Sequence, residues 1–457
     1  MNSSPSQPTS SPDPFIDSPF FRGFLFVLFL VLVATYVVLI DFTNEQQRAQ
    51  PQGMSPQFHL LARYSVGLGQ LAQMAAREGQ GTDRILPVET RTQLVEQLLQ
   101  VALTPDDRLR AVVVVAELQD PETARNILSG VREAEPPLEI LNTADLLEAV
   151  YAEPVGTVNR EALEERLGWY GKLAAGTHLV EDDPYRTQPR MAALSTCLMV
   201  IVWFMGLLAT LGAGVVVSGF AMVQMRRGKL AFFQQALNLR LPKGRGAFME
   251  AMVLFIWILL FSAMLPAWIP AAVRFMFLLL PVGWLVLRGL DRQQIILGVG
   301  LHAGKGIWRE MACGALGYLA GVPLAMLGFA LTFLIVGITG NQPSHPIVES
   351  FAGASWLDML GLLVLVCGVA PLVEEILFRG IFYHYLRGTM GALMAALVSG
   401  FFFAVIHPQG LAAIPMLASI GMIFALIREW RGSLIGSMTA HALNNTIPVT
   451  LMFIMFH

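Results

Sequence analysis

Three short stretches of this 457-residue chain place polar side chains in apolar surroundings. The first is Pro371-Leu372-Val373-Glu374-Glu375-Ile376-Leu377-Phe378-Arg379-Gly380. The second runs from Phe401 to Pro408 and holds Phe403 and His407. The third is His441-Ala442-Leu443-Asn444-Asn445. An ionisable group inside a bilayer costs roughly 3 kcal/mol or more, so each one demands a reason. Helical spacing organises them. Glu375 and Arg379 stand at i and i+4, share a face and can pair. Glu374 is turned about 100° from Glu375 and is free for another task. Phe403 and His407 are also one turn apart, and Pro408 breaks the helix just beyond. His441 and Asn445 repeat the spacing. Three helices could therefore aim a carboxylate, two imidazoles and an amide at one buried point.

Hydrolysis of a peptide bond needs a group to take a proton from water, donors for the tetrahedral oxyanion, and supports that orient both. Glutamate suits the first role, and histidine and asparagine suit the second. Plainer readings stand beside this one. The Glu375–Arg379 pair could lock one helix end, and a histidine inside a membrane is often a staple between helices. His384 reads as such a bystander, while His302, His345 and His457 fit no motif. One carboxylate with two imidazoles is also a ligand set for zinc or ferrous iron. The chain has no His-Glu-x-x-His helix, and the residues by themselves leave a metal-free and a metal-dependent mechanism both open. Cys197, Cys313 and Cys367 lie in apolar windows and read as small buried hydrophobes, with no disulfide framework.

Glu-Glu-x-x-x-Arg at Glu374, Glu375 and Arg379 is followed in order by Phe-x-x-x-His at Phe403 and His407 and His-x-x-x-Asn at His441 and Asn445. This succession resembles the CAAX protease and bacteriocin-processing family, which includes the type II CAAX prenyl endopeptidases. The resemblance runs from about Leu357 to the C-terminus, and each motif alone is weak; their order on consecutive apolar segments is specific. It implies an intramembrane endopeptidase in which Glu374 activates water and Glu375 and Arg379 support and orient it. His407 would help hold the water, and His441 and Asn445 would form the oxyanion site. It implies no cofactor, with zinc as the alternative from an older metalloprotease reading. The implied partners are membrane lipid and a protein or peptide substrate, prenylated in the best-known cases, and not nucleic acid.

The elements that must position these residues follow from composition. The chain is 55% apolar and only 14% charged, where a soluble domain is about 25% charged. Apolar windows fall at 23–40, 193–222, 251–269, 271–287, 311–337, 357–377, 390–406, 411–427 and 433–455. A span needs about 20 such residues, and backbone without water must be helical. The expected fold is all-α, a polytopic membrane helical bundle of about nine spans with an inserted soluble helical domain. Residues 1–22, rich in Ser, Pro and Asp, read as a disordered tail. Residues 23–40 lack a small-residue cleavage site and read as a retained transmembrane helix. The insert is 41–190, with 23 acidic and 14 basic residues; its net −9 within the chain's −3 leaves the remainder at +6. Thr104-Pro105-Asp106-Asp107 and Asp120-Pro121-Glu122 are helix starts, and helices are expected over 108–118, 123–133, 138–151 and 160–175. Residues 191–350 carry spans with basic loops, and 351–457 the catalytic core.

Lysine and arginine collect in alternate loops. Arg226, Arg227, Lys229, Arg240, Lys243 and Arg245 fill one, and Arg288, Arg292, Lys305 and Arg309 the next. Arg387, then Arg428 and Arg431, follow, while the loops around Trp268 and from Asn341 to Glu349 have none. The basic side is expected to be cytoplasmic, in the plasma membrane of a prokaryote, with the soluble insert opposite. One geometric difficulty arises. Glu375 and His441 lie about 18 and 15 Å from their basic helix ends, whereas His407 lies about 28 Å from Gly388 if that helix starts at the surface. Two rival functions remain: a non-catalytic scaffold or bacteriocin-immunity protein, and a transporter that uses its carboxylates as a proton relay.

Overall fold

The side chains of Thr104 and Asp120 accept hydrogen bonds from Asp107 N at 3.0 Å and Thr123 N at 2.7 Å. Each has proline next, where the missing N–H costs nothing, and each starts a helix as expected. The computed structural model describes residues 18–49, 56–77, 86–134, 136–152, 156–231, 245–262, 269, 273–274, 277–340, 351 and 354–456. The tail expected at 1–22 falls outside these up to residue 17, and helix α1 already begins at Pro19. Arg240, Lys243, Trp268, His345 and His457 also lie outside them.

Among the described residues every regular element is helical. After α1 (Pro19–Ala49) come α2 (Pro56–Arg77), α3 (Val88–Val101), α4 (Pro105–Leu118), α5 (Pro121–Glu133), α6 (Leu138–Tyr151), α7 (Arg160–Leu167) and α8 (Trp169–Ala175). Then follow α9 (Pro184–Arg226), α10 (Arg245–Ser262), α11 (Leu280–Leu287), α12 (Arg292–Val299), α13 (Ile307–Thr339), α14 (Trp356–Arg387), α15 (Ala392–Val405), α16 (Ile414–Arg431) and α17 (Leu434–Phe456).

The chain divides into two compact units. The second comprises Ala49–Leu207 with Val348–Gly353 and Thr450–His457. Its core is aliphatic: Leu109 and Val112 from α4, Leu128 from α5, Leu147 from α6 and Leu163 from α7 are all buried. The single helix expected over 160–175 is two, because Gly168 takes a positive φ of 58° and turns the chain between α7 and α8.

The first unit comprises Met1–Arg48, Leu208–Ile347 and Ala354–Val449. Leu25, Phe29 and Val33 recur every four residues on α1 and bury one stripe. Phe29 meets Phe382 at 5.2 Å and Phe402 at 5.0 Å. Among the described residues five helices are long and apolar enough to cross a bilayer: Pro19–Ile40, Pro184–Arg226, Ile307–Thr339, Trp356–Arg387 and Leu411–Arg431. Gly246–Ser262 and Ala392–Val405 are apolar but shorter. The 433–455 window forms α17, of span length at 23 residues, with His441, Asn444 and Asn445 diluting its apolar run. Of the 271–287 window the structure describes chiefly the eight residues of α11. The chain is an integral membrane protein with an all-helical fold.

Arginine–glutamate pairs tie helix ends together in this unit. Arg288 Nε lies 2.5 Å from Glu250 Oε2, Arg431 Nε 2.7 Å from Glu310 Oε2, and Arg387 Nε 3.0 Å from Glu429 Oε2. Tyr383 donates to Glu429 as well, at 2.8 Å. Phe248 against His384, with ring centroids 4.8 Å apart, joins the start of α10 to the end of α14.

Candidate active site

Glu374 and Glu375 sit where α14 changes register. Leu365–Val369 and Ile376–Phe382 are π-helical, and only the short Ala370–Glu375 turn between them is α-helical. Pro371 has no N–H to continue an α ladder, which accounts for the irregularity. Wide turns of this kind often mark functional sites.

Glu375, Arg379 and His441 form a buried core to the site. Arg379 Nη1 lies 2.9 Å from Glu375 Oε1, as the i, i+4 spacing requires, and neither side chain is exposed. The contact is an ion pair whose angles are poor for a hydrogen bond. Arg379 Nη2 donates to Gly421 O at 2.8 Å. Glycine permits this approach: a Cβ at Gly421 would stand 2.8 Å from Gly400 Cα and 3.2 Å from Arg379 Nη2. The guanidinium lies 4.5 Å from the Phe403 ring centroid and 5.2 Å from that of Phe424. His441 donates from Nδ1 to Glu375 Oε1 at 3.0 Å and stacks on Phe424 at 4.7 Å.

Glu374 points elsewhere, as its rotation from Glu375 demands. Its Oε2 lies 3.6 Å from His441 Nε2 and 3.7 Å from His407 Nε2. His407 donates from Nδ1 to Phe403 O at 2.5 Å, which sets its tautomer and aims Nε2 at the carboxylate. Phe403 packs on both imidazoles, at 4.2 Å from His407 and 5.7 Å from His441. The difficulty over the depth of His407 has a local solution. Helix α15 has 14 residues and starts only at Ala392, and His407 lies past its end, where its N–H turns back to Ala404 O.

Five of the six expected residues therefore meet: Glu374, Glu375, Arg379, His407 and His441. Asn445 shares the His441 face but is engaged elsewhere, donating from Nδ2 to Val366 O at 2.9 Å. Among the described residues no group of three or more His, Cys, Asp or Glu is arranged to hold a metal ion.

The motifs did not disclose the part played by α1. Tyr36 lies within the electrostatic field of Glu374. Val37 and Ile40 help line a small, open cleft whose other walls include Val405, His407 and Leu411. Tyr318 and Asn444, one residue before Asn445, were missed too; they are hydrogen-bonded to each other at 3.1 Å. The only signal in the sequence was polarity inside apolar windows.

Residues 355–447 match the family model described as type II CAAX prenyl endopeptidase Rce1-like. No curated protein and no solved structure matches the chain. All six residues fall inside the matched interval. The segment 355–447 of this membrane protein is thus similar to the Rce1-like family of type II CAAX prenyl endopeptidases.

Proposed function

We propose that the chain hydrolyses a peptide bond in a membrane-associated protein, of the prenylated type or a related one, with Glu374 as the base. The observation that carries this is the convergence of Glu374 Oε2 with two Nε2 atoms at 3.6 and 3.7 Å. Those gaps are too long for direct hydrogen bonds, and a water seated over the three atoms at about 2.8 Å from each would bridge them. Both Nδ1 protons are already committed, to Phe403 O and Glu375. A water there gives one proton to Glu374 and the other to His407, which leaves its oxygen lone pair for the substrate carbonyl. Two carboxylates face the single guanidinium of Arg379. His441 Nε2 faces the same point and would donate to the oxyanion when the ring carries a proton there.

From the lysine and arginine bias of the loops we infer that the ends of α14 and α16 face the cytoplasm of a prokaryote and that residues 41–190 lie outside it. The deciding experiment uses full-length protein in liposomes with a proteome-derived peptide library, cut sites being read by mass spectrometry. Glu374→Gln should leave the protein folded and lower the rate by about 10²–10⁴-fold, as loss of a general base does. Full activity in that variant would remove Glu374 from the role. Metal content of the purified wild type is the companion measurement: stoichiometric zinc, lost in His441→Ala, would overturn the metal-free mechanism.

A further inference from the structure

The chain leaves one backbone carbonyl of α14 without its helical donor, and a side-chain relay from two other helices reaches it. Around Pro371 the helix runs in i to i−5 register, with Ala370 N–H donating to Leu365 O. One residue further, the acceptor in register with position 371 is Val366 O, and proline has no N–H to offer it. Lipid supplies no water to take the place of that donor. Asn445 Nδ2 does so, at 2.9 Å. Its own Oδ1 accepts from Asn444 Nδ2 at 3.3 Å, and Asn444 Oδ1 accepts from the Tyr318 hydroxyl at 3.1 Å. All three donors point the same way, so each bond polarises the next.

We propose that Asn445 is a positioning residue: with Asn444 and Tyr318 it forms a polar strut that replaces the missing Pro371 N–H and so fixes the rotation of Glu374. The strut joins α13, α17 and α14. Glu374 follows Pro371 by three residues on the same helix. A π turn holds one residue more than an α turn, and one residue is about 100° of rotation. If the segment relaxed to α register, Glu374 would swing away from His407 and His441. The bond to Val366 O uses one of the two amide N–H groups, so positioning is a separate role from oxyanion donation and has its own readouts. The kinetic arm of the test rests on the proteolytic reading above; the exchange arm does not.

The test compares full-length wild type, Tyr318→Phe, Asn445→Ala, Pro371→Ala and Pro371→Ala/Asn445→Ala in liposomes. Amide hydrogen exchange over residues 362–372 is measured by mass spectrometry, and kcat and KM on the fastest-cut peptide of the library. Tyr318→Phe deletes one hydroxyl far from the reacting atoms. It should speed exchange in that segment and lower kcat about fivefold, the scale of one neutral hydrogen bond, with KM unchanged. Asn445→Ala should speed exchange more. In the Pro371→Ala background, where an N–H is restored, Asn445→Ala should add little to either readout. Unchanged exchange in both Tyr318→Phe and Asn445→Ala overturns the strut. So does an Asn445→Ala loss of about 10²–10³-fold that is the same in both backgrounds, which is how an oxyanion donor behaves. If the wild type cuts no peptide, the proteolytic reading fails by itself and the exchange data still decide the strut.

Discussion

Replacing Arg379 by methionine removes a fully buried cation and leaves its carboxylate partner in place. In the native cluster the guanidinium lies 2.9 Å from Glu375 Oε1, donates to Gly421 O at 2.8 Å and rests 4.5 Å from the Phe403 centroid. Methionine is flexible and polarizable enough to keep much of the contact with Phe403 and Phe424, so the loss is mainly electrostatic. Breaking a buried pair from one side costs about 3–5 kcal/mol, because the remaining charge is uncompensated. His441 still reaches Glu375 at 3.0 Å, which favours the lower end. A loss of about 3 kcal/mol is roughly a hundredfold in the unfolding equilibrium. Reversible unfolding of the full-length protein in detergent, followed by far-ultraviolet circular dichroism, reads it directly. The double variant Glu375→Gln/Arg379→Met removes both charges and should recover most of the loss, since a neutral pair carries no desolvation debt. Wild-type stability in Arg379→Met, or a double variant as impaired as the sum of the singles, would refute the argument that the pair is a buried electrostatic unit.

Three further outcomes are expected. Val37→Trp, which narrows the cleft beside His407, should raise KM roughly tenfold while kcat is kept, the scale of one lost apolar contact; an unchanged KM would take α1 out of the substrate path. In the second unit, burial first, then Arg63 and Arg110, holds the His59 imidazole down from 6.5 to about 3. The folded state therefore binds fewer protons than the unfolded one, and stability is complete above pH 6.5 and falls by about 1.4 kcal/mol per unit as pH drops towards 3. Chemical unfolding across that range should show a slope that His59→Gln flattens, and identical slopes would sink the assignment. Gly130→Cys, at an exposed site where a Cβ meets nothing within 4 Å, should label with an impermeant thiol reagent in intact cells when the three native cysteines are replaced. Labelling only after lysis would invert the proposed topology.

Much of the site could be read in advance because helical spacing is a rigid ruler. Glu375 and Arg379 had to share a face, and Glu374 had to point away from both. The caps at Thr104 and Asp120 were equally plain, since their chemistry is local. What stayed hidden depended on partners distant in sequence. A motif spacing of four places Asn445 on the His441 face, yet only the π register around Pro371 decides that it meets Val366 O. Tyr36, Val37 and Ile40 lie more than 300 residues from the motifs they adjoin, and an apolar window carries no mark of what it packs against. The break at Gly168 was missed because a glycine inside a helical pattern announces a positive φ only once its neighbours are placed.

The ion pairs of Arg288 with Glu250, Arg431 with Glu310 and Arg387 with Glu429 make the bundle mechanically lopsided. The helix ends they join resist separation by directional, charge-assisted bonds, each sheltered by at least one buried partner. Away from that rim, Asn445 of α17 donates to Val366 O of α14, and among the described residues the cleft beside the turn after α15 is lined from α1 by the aliphatic side chains of Val37 and Ile40. Dispersion contacts slide at little cost, whereas a buried ion pair must break before it moves. Any breathing that admits a polypeptide from the bilayer should therefore pivot on the arginine-rich rim and open between α1 and the α15–α16 turn, sideways into lipid.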